Sequence, residues 1–307
     1  MIYIPYFRGK QFDLAALKEA VLKDLLASGT IPLIEPVRDS PHLRKTLEAF
    51  IKKEREILVV INPEVGQVQM GVPKLYEIDD LLETPYVIPC YIINEAFQYH
   101  WIKHDDYVFL SKYFVKDILE EAVGGFAPRF HLIADSARLR KAVHHRRILL
   151  GDPFTRLKNS ADYLQLPDEF FSDEMKFAKE EGYLGYSDYG IDGAAYYDKG
   201  WASRAVVLHI LYLDKYGNLR IKHFCSDSNE SAANPAGKFF EALEKLAAWH
   251  RRYEKEIPLT AGLSGLLSYL ETGKYPGGGT IKKWSVMHQL ELVQILERQG
   301  KGDLAHV

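Results

Sequence analysis

A chain of 307 residues, 47% hydrophobic and 26% charged with a formal net charge of −3, has the composition of a globular protein, which excludes a long disordered tail and a surface that coats nucleic acid along its whole length. The two cysteines, Cys90 and Cys225, lie far apart, which excludes a disulfide scaffold and a cysteine-rich zinc site and fits a reducing compartment. No apolar run approaches the roughly 20 residues that span a bilayer, and the opening lacks the pattern of a secretory signal, so the expected location is the cytoplasm, with no membrane partner.

The chain opens on an apolar stretch, Ile2 to Phe7, followed at once by Arg8, Gly9 and Lys10. That stretch predicts a strand, and Leu14, Leu17, Val21, Leu22 and Leu25 recur at helical spacing up to a stop at Ser28-Gly29. IPLIEPV (31–37) predicts a second strand; Ser40 as N-cap and Pro41 at the first helical position then open a second helix. EILVVINP (56–63), YVIPCYIIN (86–94), YVFLSKY (107–113), RFHLIAD (129–135), RILLGD (147–152) and YLGYSDYG (183–190) bring the predicted strands to eight. Ser136 to His145 and the segment 168–182 read as helices between the later ones.

Continuous apolar runs separated by helices indicate parallel strands covered on their outer face, and eight such units predict a (β/α)8 TIM-barrel-like fold. Pro5, Pro32 and Pro89 each remove a ladder donor, so the expectation is a distorted or incompletely closed barrel, with an open doubly wound sheet as the alternative. After residue 200 the pattern changes. SRAVVLHILYLD (203–214), the turn KYGN and LRIKHFCSD (219–227) predict an antiparallel hairpin. Asn234-Pro235 starts a long helix through Arg252, and residues 258–297 read as helical around the loop YPGGGT (275–280). The organisation is therefore a barrel over 1–200 with a hairpin and helical cap over 201–307, packed on it in the same structural unit.

Sites in barrels and open α/β sheets form at the carboxyl ends of the strands. The residues there are Arg8 and Lys10, Glu35, Asn62, Asn94, Lys112, Asp135, Asp152 and Asp188 in strand order. Convergence of Glu35, Asp135, Asp152 and Asp188 would offer hard oxygen ligands for Mg²⁺ or Mn²⁺. Arg8 and Lys10 would meet a phosphate or neutralise the acids, with Gly9 letting the backbone turn between them. Structural readings stand beside these: Asp135 as a helix cap, Asp152 before Pro153 and Asn62 before Pro63 as turn formers, Glu35 as an ion-pair partner of Arg8 or Lys10, and Lys112 reaching outward to solvent. HHRR (144–147) reads as a solvated helix end, and no HExxH, CxxC, GxSxG or P-loop pattern is present. The GGG run at 277–279 follows no strand and is no dinucleotide fingerprint.

YIPYFRGKQFDLAAL, IPLIEPV and LVVINPEVG, together with YSDYGID (186–192), WASRAVVLHILYLD (201–214) and TIKKWSVMHQLELV (280–293), resemble an uncharacterised bacterial family named for a myxobacterial locus and, more distantly, the phage-type beta protein family. The resemblance implies a barrel-like fold, a link to phage defence or mobile elements, and a companion protein encoded in the same operon. The related terminal helix often carries a His-His pair where this chain has His288-Gln289. Trp284 and His288 share one helical face suited to packing over the barrel mouth.

These features predict metal-assisted hydrolysis of a phosphate-containing small molecule or nucleic acid. Glu35, Asp152 and Asp188 would hold the metal or activate water, Arg8, Lys10, Asn62, Lys112 and Trp284 would bind substrate, and His288 would act as general acid. The alternative is a non-catalytic sensor or scaffold that binds the companion protein through the hairpin 203–227 and the tyrosine-rich loop 186–201, whose aromatic residues suit an interface and a substrate lid alike.

Overall fold

The computed structural model describes residues 1–38, 40–67, 78–198 and 203–300. Eight parallel strands close a barrel: β1 (Ile2–Phe7), β2 (Leu33–Ile34), β3 (Ile57–Val60), β4 (Val87–Ile92), β5 (Val108–Ser111), β6 (His131–Ala134), β7 (Arg147–Gly151) and β9 (Gly185–Asp188), the last pairing with β1. Each lies inside one of the eight apolar runs of the sequence, and the chain folds as a (β/α)8 TIM-barrel-like protein.

The three prolines do not open the barrel, because each precedes the pairing on one of its sides. Pro5 pairs with Asp188 of β9, while β1 meets β2 only from Tyr6 onward. Pro32 stands just before β2, and its carbonyl still accepts from Leu58 N at 2.8 Å. Pro89 pairs with Val59 of β3, whereas β5 begins to pair at Cys90. A missing donor costs little where no acceptor stands opposite it.

Closure depends on a close approach between β9 and β1. A Cβ at Gly185 would overlap the carbonyl oxygen of Ile2. Gly185→Ala is therefore expected to destabilise the fold by about 3 kcal/mol, at the upper end of ordinary overpacking. Urea denaturation measures it, and a loss below about 1 kcal/mol would contradict this account of the seam.

Alternation along each strand separates two cores. Ile4, Tyr6, Leu58, Val60, Ile88, Cys90, Leu110, Leu132 and Ile148 fill the barrel. Tyr3, Phe7, Val59, Tyr91, Phe109, Ile133 and Leu149 face outward into the surrounding layer. That layer includes α1 (Gln11–Leu22), α2 (Pro41–Lys52) and α9 (Gly278–Arg298), whose Val286, Met287, Leu290 and Val293 join the same cluster. The cap and the barrel thus share one core.

The segment 168–182 does not form the expected helix. Asp168–Ser172 is a strand, β8, and only α5 (Glu174–Phe177) is helical. Cross-strand partners override the helical pattern: β8 pairs antiparallel with β11 (Leu219–Cys225), which pairs with β10 (Val207–Leu213). Asp168 there meets Arg220 at 2.6 Å and accepts from the Tyr212 hydroxyl at 2.7 Å. Ser172 Oγ accepts from Glu174 N at 3.2 Å and turns the chain out of the strand.

The expected hairpin is β10–β11, but both its faces are covered. Leu208, Ile210 and Phe224 pack under α6 (Pro235–Arg252) and α7 (Ala261–Leu267), while Leu211, Leu219 and Ile221 face the barrel layer. The faces are thus packed within the chain, while β10 forms the edge of the three-stranded sheet and the turn between the strands exposes Tyr216. Among the described residues, no helix is long and apolar enough to cross a membrane.

Candidate functional site

The inward phase of the strands decides which strand-end residues meet at the barrel mouth. Arg8, Glu35, Lys112 and Asp152 continue the inward sets that include Tyr6, Leu33, Leu110 and Leu150. Gly9, at φ +60°, turns the chain immediately after Arg8, and a Cβ there would press on Ile34 Cγ2 at 3.0 Å and Glu35 O at 3.1 Å.

Glu35 is fully buried and is the centre of a charge cluster. Arg8 Nη1 donates to its Oε2, as does the Tyr6 hydroxyl at 2.5 Å, and Lys112 Nζ stands 3.4 Å away. Its Oε1 accepts from Glu64 N at 2.8 Å. Burial would raise the Glu35 pKa, but Lys112 and Arg8 outweigh it and hold the carboxyl below its usual range. Lys112 therefore turns inward instead of reaching solvent, and also meets Glu64 at 3.1 Å. Asn94 Nδ2 donates to Glu64 at 2.8 Å.

Two tyrosines wall the mouth. The Tyr6 and Tyr189 rings are 4.6 Å apart, and the Arg8 guanidinium lies 5.2 Å from each. Such contacts hold a planar cation in place more firmly than water would. Arg8 Nη2 donates to Ala194 O at 2.6 Å, and Ala194 N donates to Asp152 Oδ1 at 3.1 Å. One residue of the loop after β9 thus joins the cation to the carboxylate. Burial raises the Asp152 pKa above the usual carboxylate range, against the pull of Arg156 and Arg8.

Lys10 stands at the N-cap of α1. Asp13 accepts from its backbone N–H at 3.3 Å, and its Nζ donates to Tyr197 O at 2.7 Å while lying 4.9 Å from the Tyr196 ring centre. Burial and the nearby charges of Lys282 and Arg156 lower its pKa.

The remaining expected site residues lie elsewhere. Asp135 is out of phase with the inward residues of β6 and pairs at the surface with Arg140. Asp188 points away from the barrel interior, where it accepts from Tyr3 Oη at 3.2 Å and Gly190 N at 2.8 Å. Burial pushes its pKa up to about 6. Asn62 clips β3 to β4, its amide bonding Ile92 O and Ile92 N, each at 2.8 Å, so it is occupied structurally.

His288 is fully buried between α9, α7 and β10, with Nδ1 2.7 Å from the Thr260 hydroxyl and Nε2 2.7 Å from Leu211 O. Both nitrogens are engaged, and burial pushes its pKa down to about 4, which removes the geometric basis for a general-acid role. Trp284 rests against Gly265 of α7 and not over the mouth. Gln289, in place of the second histidine, donates to Tyr3 Oη at 2.7 Å. Among the described residues, no three His, Cys, Asp or Glu side chains stand where they could share a metal ion.

Tyr6, Glu64, Arg156 and Tyr189 were absent from the expected site. Tyr6 was legible, being two residues before Arg8 and so on the same strand face. Glu64 and Arg156 come from loops, where no periodicity marks them. The tyrosine-rich loop divides its aromatic residues between the core at Tyr186, the mouth at Tyr189 and the rim at Tyr196 and Tyr197; its last residues, 199–201, lie outside the described residues, as do the first two of the 201–214 stretch. No family model, no curated protein and no solved structure matches the chain.

Proposed function

We propose that the barrel mouth binds a phosphate-bearing ligand and hydrolyses its phosphoester bond. The observation that carries this reading is the meeting of Arg8 and Asp152 on the two sides of Ala194. A phosphate oxygen at the place of the Ala194 carbonyl would take a charge-assisted hydrogen bond from Arg8, and a water at the place of its N–H would face Asp152. Asp152 accepts a proton from that water as its oxygen bonds to phosphorus, and the ester oxygen leaves, taking a proton from solvent. Glu35 does not act as the base, because its two cations and the Tyr6 hydroxyl hold it ionised; it positions Arg8.

Asp152→Asn keeps an oxygen for Ala194 N and removes the proton acceptor. It is expected to fold normally and to lower phosphomonoesterase turnover by about 10²–10⁴-fold, the usual worth of a general base. p-Nitrophenyl phosphate and a set of nucleotides serve as substrates, each assayed with Mg²⁺, with Mn²⁺ and with a chelator. Equal turnover in the variant, or none in the wild type under any condition, would overturn the reading.

A further inference from the structure

Three cations around the mouth have neutral main-chain oxygens as partners, all from one short loop. Arg8 donates to Ala194 O at 2.6 Å, Lys10 to Tyr197 O at 2.7 Å and Arg156 to Asp192 O at 2.6 Å. The same loop lays Tyr196 against Lys10 and Tyr197 against Arg156, at 4.9 and 5.2 Å from ring centre to charge. Ala194 itself packs against the inner barrel core. The cations come from different loops, after β1 and after β7, so the segment 192–197 spans the mouth and is tied down on both sides.

We propose that Arg8, Lys10 and Arg156 form one oxyanion site, and that the loop 192–197 is its resident occupant, exchanged for the phosphate of the ligand. This rests on the phosphate reading of the mouth and adds to it Arg156 and the displacement of the loop. Arg8 favours the exchange. Its Nη1 serves Glu35, its Nη2 serves Ala194, and its Nε is buried without a partner. A phosphate oxygen in line with the Nη2 bond takes the place of the Ala194 carbonyl. An ionised acceptor makes roughly twice as strong a hydrogen bond to a cation as a neutral carbonyl does, so three such bonds favour a dianionic phosphate over the loop. Leaving also frees Ala194 N from Asp152, so loop displacement exposes the carboxylate in the same step.

The test is calorimetric titration of the intact chain with inorganic phosphate and pyrophosphate, paired with hydrogen–deuterium exchange over 192–197. The expected result is saturable binding together with exchange at Ala194 faster by at least about tenfold, since its amide loses its partner. Arg156→Gln should raise exchange in the unliganded chain and weaken phosphate binding by about tenfold, the worth of one hydrogen bond to a charged group. Saturable binding with unchanged exchange would refute the loop's role while leaving the phosphate reading intact. Absence of saturable binding would refute both, and normal binding by Arg156→Gln would remove Arg156 from the site.

Discussion

Glu35→Ala is expected to cost about 3–5 kcal/mol of folding stability, the range for breaking a buried ion pair by deleting one partner. Glu35 is wholly buried, and the Arg8 and Lys112 side chains beside it are only 10% exposed. Removing the carboxylate leaves two cations in the barrel, with Glu64 still bonded to Lys112. Urea unfolding measures the loss. Adding Lys112→Met to the variant should recover part of it, because one uncompensated charge disappears with the lysine. A loss below about 1 kcal/mol would mean that water reaches the cluster and that its charges are screened as at a surface.

Acid should destabilise the fold well above the range in which carboxylates titrate. Burial pushes the His131 pKa down to about 3 and that of His288 to about 4, and pushes that of His209 well below its ordinary value. These imidazoles are neutral in the folded chain and take up protons in the unfolded chain below about pH 6.5, so their stabilisation is complete above that pH and is lost as pH falls. Asp188 acts in the opposite sense. With its folded pKa raised to about 6 it holds a proton that the unfolded chain has lost, offsetting one histidine between about pH 6 and 4. The three histidines outnumber the one proton that Asp188 holds, so these four groups together make stability fall as pH falls across that window. Asp188→Asn removes the offset, so the variant should be more stable than the parent at pH 8 and should lose stability more steeply in acid. A flat stability profile from pH 7 to 5 would contradict the burial of these histidines as neutral groups.

Period-two alternation explains both what the sequence revealed and what it concealed. The eight apolar runs announced the strands, since each is long enough to cross a barrel and is bounded by turn residues. Strand ends alone were too coarse a guide to the site. Counting in steps of two from Tyr6 reaches Arg8, from Leu33 reaches Glu35, from Leu110 reaches Lys112 and from Leu150 reaches Asp152, all at the mouth. The same count from Leu132 misses Asp135, and Asp188 falls one residue short of the inward-facing Tyr189. A shift of one residue moves a side chain through the sheet, which is why two of the four expected acids face away from the others.

Other features had no local signal. β8 depends on pairing with strands about fifty residues further on, which its own helix-like composition conceals. His288 and Trp284 carry the residue types of a site but serve the seam between α9 and α7, because a buried histidine with two partners is as much a packing element as a catalyst. The carbonyls that bind Arg8, Lys10 and Arg156 belong to the backbone, and no side-chain pattern could announce them.

The most direct measurement on the barrel mouth is an arginine side-chain NMR titration of the intact chain with inorganic phosphate. Saturable shifts at Arg8 and Arg156 with one common dissociation constant, absent from Arg44 and Arg129 on the outer surface, are the predicted result. Shifts that stay linear to high phosphate, or that fall on the outer arginines alone, would contradict the assignment of the mouth as a phosphate site.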